Sequence, residues 1–252
     1  MMNSDISRYV LITGAAGGIG KAIVKEFSDV GYVVIASDCV PQPVDLICTH
    51  YVQSDLSEMM INKEYFNIII NKIQSFIGNN GLYALINNAA IQILGGVESL
   101  KIDDCNKTLN INLLAPLFLS QSLLKQLEKA KGSILNISSI HARLTKKNFL
   151  AYATSKAALS GMTKAMAVEL GGRVRVNAIE PAAIETDMLK SGFSNSEEKY
   201  KLLAEYHPAG ILGNVNELSR LVRSIVELDN GFFTGEVIGY DGGIGALLHD
   251  PA

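Results

Sequence analysis

A glycine-rich turn between a short apolar run and an amphipathic segment limits the possible folds of this chain most. The run Tyr9–Ile12 predicts a buried strand, Thr13–Gly20 supplies the turn, and a helix-like periodicity follows. Gly14 permits a sharp turn, Gly18 lets the backbone approach a ligand, and Gly20 permits tight helix–strand packing. The start of such a helix offers free N–H groups and positive dipole to an anion. The segment therefore predicts a pyrophosphate-binding turn whose contacts are Gly14, Gly17, Gly18, Ile19 and Gly20.

Strand-like and helix-like segments alternate along the sequence, which is typical of βαβ units with a parallel sheet. Right-handed crossovers place helices on both faces and the carboxyl ends of the strands on one edge. We predict an α/β fold, a single-domain Rossmann-type doubly wound parallel sheet of about seven strands over residues 1–252. The predicted strands are Tyr9–Thr13, Val33–Ser37, His50–Gln53, Ala84–Asn87, Ser133–Ser138, Val174–Ile179 and Glu236–Tyr240. The predicted helices lie near 19–30, 61–77, 103–129, 152–170 and 216–228.

The connection between the second and third predicted strands is unusually short. Asp38 and Asp55 lie 17 positions apart, and Pro41 and Pro43 oppose a helix between them. We therefore expect an irregular loop that leaves this side of the sheet partly uncovered, or covered by a partner subunit.

Composition excludes several classes of function. A formal net charge of −3 gives no reason to expect nucleic acid or an anionic membrane as a partner. The three cysteines are widely spaced without a CxxC pair, which favours reduced thiols over disulfides or zinc. His50, His141 and His207 are scattered, so no metal site is predicted. The first residues lack the apolar core of a signal peptide and no long apolar run exists, so we expect a soluble cytoplasmic protein.

Asp38 ends the second predicted strand, 18 residues after Gly20. A carboxylate there can accept both hydrogen bonds of an adenosine ribose, and it repels a 2′-phosphate. No Arg or Lys occurs in the glycine turn or in the four residues after Asp38, so both observations favour NAD over NADP. The alternative is an Asp that merely caps a turn. The same edge of the sheet adds candidate nucleotide contacts at Asp55, Leu56, Asn88 and Ala89.

Tyr152 and Lys156 stand four residues apart on one face of a predicted helix. A cation near the phenol stabilises the phenolate, which lowers its pKa from about 10 toward the range useful for acid–base catalysis. Ser139 lies at the end of the preceding strand, where its hydroxyl can polarise a carbonyl. The alternatives are a surface Tyr–Lys pair and a strand-end serine.

The order and spacing of these motifs resemble those of a classical short-chain dehydrogenase/reductase from about Tyr9 to Gly243. The resemblance rests on TGxxxGxG at Thr13–Gly20, the acidic Asp38, NNA at Asn87–Ala89, Asn112, Ser139, YxxxK at Tyr152 and Lys156, Asn177 to Pro181, Thr186 and the final Asp241-Gly242-Gly243. It implies an NAD-dependent oxidoreductase that interconverts a secondary alcohol or cyclic diol and a ketone.

The resemblance also implies the role of each catalytic residue. Tyr152 would be the acid/base, while Lys156 would lower its pKa and hold the nicotinamide ribose. Ser139 would orient the reacting oxygen, and Asn112 would keep a water in the relay through its helix. Asn110 is a rival on sequence alone, but the pattern from Asn112 matches the family better. Further cofactor contacts are implied at Tyr152, Lys156, Pro181, Ile184 and Thr186.

Some residues depart from the family pattern and leave alternatives open. Ala182 stands where Gly usually follows Pro181, and Ala90 and Ile211 are further departures. A 3-oxoacyl carrier-protein reductase using NADPH is one alternative, similar over residues 184–188, but Asp38 argues against it. A non-catalytic nucleotide-binding protein is another, and the intact tetrad argues against that.

The resemblance places a substrate loop at about 187–212 and implies a homodimer or homotetramer through helices 103–129 and 152–170. Residues 196–206 predict a short helix that either lids the pocket or packs on the core. A basic loop at Arg143, Lys146 and Lys147 predicts either attraction of an anionic substrate or a solvated surface. The tail 244–252 either brings His249 toward a neighbouring pocket or is a frayed terminus.

Overall fold

Seven parallel strands form one sheet in the order β3-β2-β1-β4-β5-β6-β7, in a computed structural model that describes residues 8–186, 189 and 196–248. The predicted doubly wound sheet is confirmed, and strand order reverses between β1 and β4. Ligands bind at such a switch point in sheets of this kind. The strands are β1 (Tyr9–Thr13), β2 (Val33–Asp38), β3 (His50–Gln53), β4 (Leu82–Asn87), β5 (Ser133–Ile137), β6 (Arg175–Pro181) and β7 (Val237–Tyr240).

The helices agree with the predicted segments in position but not in continuity. Segment 61–77 begins two residues later than predicted, at Lys63, because the Asn62 side chain accepts a hydrogen bond from the N–H of Tyr65 and caps the helix. A short helix before it, Leu56–Ile61, was not predicted. Segment 103–129 contains a π-helical turn, Asn110–Leu114, and a break at Leu123. The helices are α1 (Gly18–Asp29), α2 (Leu56–Ile61), α3 (Lys63–Ile77), α4 (Ile102–Leu109), α5 (Ala115–Ser122), α6 (Leu124–Ala130), α7 (Leu150–Leu170), α8 (Glu197–Glu205) and α9 (Val215–Glu227), with 3₁₀ turns at Ile140–Ala142 and Ile244–Ala246.

The core lies in two layers, one on each face of the sheet. Side chains alternate along each strand, so that in β1 Leu11 packs with α3 and α5 while Val10 and Ile12 pack with α1 and α9. The central strands are buried on both faces, as expected for a parallel sheet covered by helices. Within the described residues, no helix is both long and apolar enough to cross a lipid bilayer.

The connection between β2 and β3 is an irregular loop over residues 39–49, as predicted. The loop is tied to the sheet by Tyr51 of β3, whose hydroxyl donates to the Val40 carbonyl at 2.7 Å. Val44 and Ile47 are fully or largely exposed at its surface. This side of the sheet therefore lacks the helix that the other crossovers supply.

Candidate active site

The turn from β1 into α1 has a backbone that only glycine accommodates at two positions. Gly14 has φ +64°, and a Cβ added there would lie 2.6 Å from the Cα of Ala89. A Cβ on Gly20 would lie 2.0 Å from the carbonyl oxygen of Gly14. The turn is therefore packed against the start of its own helix and against the loop after β4.

Thr13 and Asn88 hold this turn in place. The Thr13 hydroxyl accepts hydrogen bonds from the N–H groups of Asn88 and Ala89, both at 3.1 Å. The Asn88 side chain donates to the carbonyls of Thr13 and Gly14, at 3.0 and 2.9 Å. Asn88 and Ala89 were predicted as nucleotide contacts, and their described contacts support the turn. Sequence reasoning placed Thr13 in the TGxxxGxG motif but missed this role.

The start of α1 fits an anionic group. Gly17 is the N-cap, and among the described residues no side chain caps the helix and none in its first turn is acidic. The N–H groups of the first helical turn therefore keep their capacity to bind a phosphate. Thr186 packs here as well, since a Cβ on Gly18 would lie 3.0 Å from the Thr186 methyl. The structure thus brings together two of the predicted cofactor contacts.

Asp38 and Asp55 lie at the carboxyl ends of β2 and β3 with different partners. One carboxylate oxygen of Asp38 accepts a 2.9 Å hydrogen bond from the N–H of Ala16, which fixes the acid beside the glycine turn. The Asp55 carboxylate caps α2 by accepting from the N–H groups of Ser57 and Glu58. The structure therefore places the predicted ribose ligand at the glycine turn and gives Asp55 a helix-capping contact, while Leu56 is buried.

Lys156 is buried below Tyr152 on α7. Its ammonium donates a 2.7 Å hydrogen bond to the carbonyl of Ile137 and lies 5.8 Å from the centre of the Tyr152 ring. Burial lowers the pKa of Lys156 to about 7. Ser139 caps the adjacent 3₁₀ turn, accepting from the N–H of His141 at 3.2 Å. The predicted Tyr, Lys and Ser therefore converge at the carboxyl edge of β5.

The expected lowering of the Tyr152 pKa is wrong for the protein without bound ligands. Burial raises the pKa of the phenol, and a side-chain hydrogen bond with Ser139 acts in the opposite direction. Because burial also disfavours the charged form of Lys156, this lysine is a weaker source of positive charge than an exposed one. The sequence shows that the two groups are paired but not how completely their surroundings exclude water.

Asn112 lies in the π-helical turn and its side chain is fully buried. The amide oxygen accepts from the N–H of Ile91 at 2.9 Å, and the amide nitrogen donates to the Ile91 carbonyl and the Ser155 hydroxyl, both at 3.0 Å. The side chain therefore connects the loop after β4 to α7, next to Lys156. Asn110, the rival on sequence alone, begins the same turn and is only half-buried.

An aromatic group beside Tyr152 was missed by sequence reasoning. The His141 ring stacks on Phe149 with centroids 4.4 Å apart and meets the Tyr152 ring edge-on at 5.6 Å. Burial, with a smaller contribution from Lys146, lowers the pKa of His141 to about 4, so this ring is neutral near pH 7. The signal available in the sequence was its position two residues after Ser139.

The predicted basic loop is exposed at Arg143, Lys146 and Lys147. Arg143 also donates to Glu180 at 2.5 Å and to Asp241 at 3.2 Å. Lys146 lies over the Phe149 ring at 4.7 Å. Its neighbour Lys147 is exposed.

Two residues predicted as cofactor contacts lie at the end of β6 and directly after it. Pro181 ends β6 beside Tyr240, and Ile184 is buried in a bridge with Gly213. The predicted helix at 196–206 is confirmed as α8, and Tyr200 donates to Glu185 at 3.3 Å. Most of the predicted substrate loop before α8 (187–188 and 190–195) lies outside the described residues, as do residues 249–252 of the predicted tail, including His249.

Comparison with known proteins identifies the family. Residues 8–197 match the family model for short chain dehydrogenases. The chain belongs to this family, as the sequence predicted. It is an oxidoreductase acting on CH–OH groups.

Three relatives show the range within the family. The chain is 31% identical to a 3-oxoacyl-[acyl-carrier-protein] reductase of Thermotoga maritima, with 94% of this chain and 97% of that protein covered. It is 30% identical to 4-hydroxyisoleucine dehydrogenase solved with NADH, at a TM-score of 0.85. It is also 30% identical to ElxO solved with NADP, at a TM-score of 0.82. Both structural comparisons cover 96% of this chain and 100% of the other. The family thus includes proteins solved with either dinucleotide.

Proposed function

We propose that this protein is an NAD-dependent dehydrogenase that interconverts a secondary alcohol, or a cyclic diol, and the corresponding ketone. The observation that carries the proposal is the convergence of Tyr152, Ser139 and buried Lys156 at the sheet edge that also holds the glycine turn. A hydride transfer needs this arrangement of a nucleotide site, a proton donor and a group that orients the oxygen.

In this proposal each side chain acts on the proton or the oxygen. When bound, the dinucleotide supplies the hydride acceptor for oxidation or the hydride donor for reduction. Tyr152, as the phenolate, takes the hydroxyl proton as the alcohol becomes a ketone, and as the phenol it returns the proton in the reverse direction. Ser139 holds the reacting oxygen by a hydrogen bond. Lys156, as a cation below the phenol ring, stabilises the phenolate that appears during the reaction.

The choice of NAD rests on Asp38. Its hydrogen bond from Ala16 orients the carboxylate at the turn, where it would accept from ribose hydroxyls and repel a 2′-phosphate. We expect tighter binding of NADH than of NADPH, measured by nicotinamide fluorescence. Asp38→Ala should weaken NADH binding about 10- to 100-fold, since charged hydrogen bonds contribute ~1.5–3 kcal/mol. Tighter NADPH binding by the unaltered protein would contradict the assignment.

A second candidate is an NADPH-dependent 3-oxoacyl reductase, which the 31% identity to the Thermotoga maritima enzyme supports. A panel of secondary alcohols with NAD, including 4-hydroxyisoleucine, should be compared with 3-oxoacyl thioesters and NADPH. Faster turnover of the thioesters would favour this candidate.

Replacing Tyr152 tests the mechanism for either candidate. Tyr152→Phe should abolish turnover and leave NADH binding unchanged, because the phenol hydroxyl serves the proton transfer. Tyr9→Phe is the control, since Tyr9 lies at the start of β1, the opposite end of that strand from the glycine turn. Wild-type turnover by Tyr152→Phe would refute the mechanism.

We also propose that α7 packs against a second copy in a homodimer or homotetramer. The helix exposes Leu150 and Val168, and α5, which lies in the other predicted interface segment, exposes Phe118. Sedimentation should show a dimer or tetramer, and Val168→Glu should shift it toward smaller species. A wild-type monomer would contradict the proposal.

A further inference from the structure

Glu180 is a buried carboxylate inside the sheet, outside the groups assigned so far. It belongs to β6 and is 1% exposed. Arg143 donates to one of its oxygens at 2.5 Å, and Ser160 donates to the other at 2.8 Å. A buried charge is stable only when it is paired and hydrogen-bonded, so these two contacts offset the desolvation cost of burying the Glu180 carboxylate.

One contact of Glu180 leads to the helix that carries Tyr152 and Lys156. The Ser160 hydroxyl lies 2.9 Å from that of Ser138, which in turn lies 3.0 Å from the backbone carbonyl of Lys156. The two hydroxyls have two protons for three contacts. Because Glu180 is the charged acceptor, the Ser160 hydroxyl donates its hydrogen bond to Glu180. The Ser138 hydroxyl therefore divides its single hydrogen bond between the Ser160 hydroxyl and the Lys156 carbonyl.

The other contact leads to the turn that carries Ser139. Arg143 ends the 3₁₀ turn by donating its N–H to the Ile140 carbonyl, while Ala142 donates to the Ser139 carbonyl. Because the Arg143 side chain is held by Glu180, the turn that begins at Ser139 is anchored at its far end. Asp241 adds a weaker second contact at 3.2 Å.

We propose that Glu180 is a positioning residue that fixes the separation between Ser139 and the Tyr152–Lys156 pair. It reaches both elements through hydrogen bonds, from Ser160 on α7 and from Arg143 at the end of the 3₁₀ turn. Catalytic geometry tolerates little error, and a displacement of about 1 Å can cost up to about 100-fold in rate. The inference rests on the proposed function, in which these three side chains act together.

A matched pair of variants on α7 separates positioning from structural support. Ser160→Ala removes the hydroxyl that binds Glu180. Thr163→Val removes a buried hydroxyl on the same helix, whose described hydrogen bonds are to Asn136 at 2.9 Å and to the Leu159 carbonyl and not to Glu180. We expect both to lower the melting temperature. Only Ser160→Ala should lower kcat, roughly 10- to 100-fold, with KM and NADH affinity unchanged.

The contact between Arg143 and Glu180 can be tested separately. Arg143 lines a cavity of about 530 Å³, which is large enough to admit a guanidinium ion. Arg143→Ala should lower kcat to a similar extent, and millimolar guanidinium should restore part of the loss. Glu180→Gln should also lose kcat, and guanidinium should not restore it, because the charge it would pair with is gone. If Glu180→Gln does not fold, Ser160→Ala decides.

The kinetics use NAD with the best secondary alcohol of the panel and include Tyr152→Phe in parallel. Equal losses of kcat in Ser160→Ala and Thr163→Val would mean a structural role only and would overturn the inference. Wild-type kcat in Ser160→Ala and Glu180→Gln, with Tyr152→Phe inactive, would overturn the inference and leave the proposed function standing. Activity in Tyr152→Phe would overturn both.

Discussion

Replacing Lys156 by methionine should stabilise the ligand-free protein and abolish its turnover. Lys156 is 2% exposed and its ammonium donates a single described hydrogen bond, to the Ile137 carbonyl. Burial lowers its pKa from 10.5 to about 7. At or below about pH 7 this lowered pKa therefore reduces the free energy of unfolding by ~5 kcal/mol, since each pKa unit corresponds to ~1.36 kcal/mol.

Methionine fills a similar volume without a charge, and it loses the bond to Ile137. Leaving that carbonyl without its donor costs ~1–3 kcal/mol, so the net gain near pH 6 should be ~2–4 kcal/mol. Between about pH 7 and 10.5 the unfolded chain binds a proton that the folded wild type does not. The wild-type free energy of unfolding therefore rises with pH in this window, by up to ~1.4 kcal/mol per pH unit.

The assay is urea unfolding of the ligand-free protein at about pH 6 and about pH 8.5, at one protein concentration. The advantage of Lys156→Met over wild type should shrink by ~2 kcal/mol between these values. Other titrating groups cancel in the comparison of the two proteins. Lys72→Met is the control, since Lys72 is exposed on α3 and its difference from wild type should not depend on pH. A Lys156→Met variant less stable than wild type at both pH values, or a pH-independent difference, would refute the reasoning.

Two further substitutions test the packing around the site. Gly20→Ala should lose NADH binding and ~3 kcal/mol or more of stability, because its Cβ would lie 2.0 Å from the Gly14 carbonyl oxygen. Gly161→Ala on α7 meets no atom within 4 Å and should gain ~0.5–1 kcal/mol, so equal melting temperatures for these two variants would contradict the packing argument. Asn112→Ala removes three buried hydrogen bonds and should cost ~2–4 kcal/mol in urea unfolding, and a loss below ~0.5 kcal/mol would show that these bonds do not hold the loop after β4.

The fold was predictable because the hydrophobic periodicity of this chain is strong and its strands and helices are separated by turn residues that can be recognised locally. Each of the seven strands appears where an apolar run stands between turn residues, and Pro41 and Pro43 identify the one crossover without a helix. Helix continuity was harder to predict. Asn62 interrupts an apolar pattern that continues on both sides of it, and only its capping bond to Tyr65 shows that a new helix begins there.

The members of the candidate site could be predicted from the sequence, but their environment could not. The spacing of Tyr152 and Lys156 shows that they share a helix face, yet the direction of the Tyr152 pKa depends on how many atoms surround the ring. The partners of Arg143 lie 37 and 98 residues away along the chain. Contacts at such distances are created by the sheet order, and no local pattern in the sequence indicates them.

The π-helical turn at 110–114 gives this stretch of the chain one residue more than a regular α-helix of the same length would hold. A π turn contains one residue more than an α turn, so every side chain after it is rotated by about 100° relative to an uninterrupted helix. If the same residues formed an uninterrupted α-helix, buried Ala115 and Leu119 would turn away from the core. Deleting one residue of the turn would remove the extra residue, so the α-helix could continue with both side chains still facing the core. The π turn therefore accommodates one extra residue without displacing the buried face of α5.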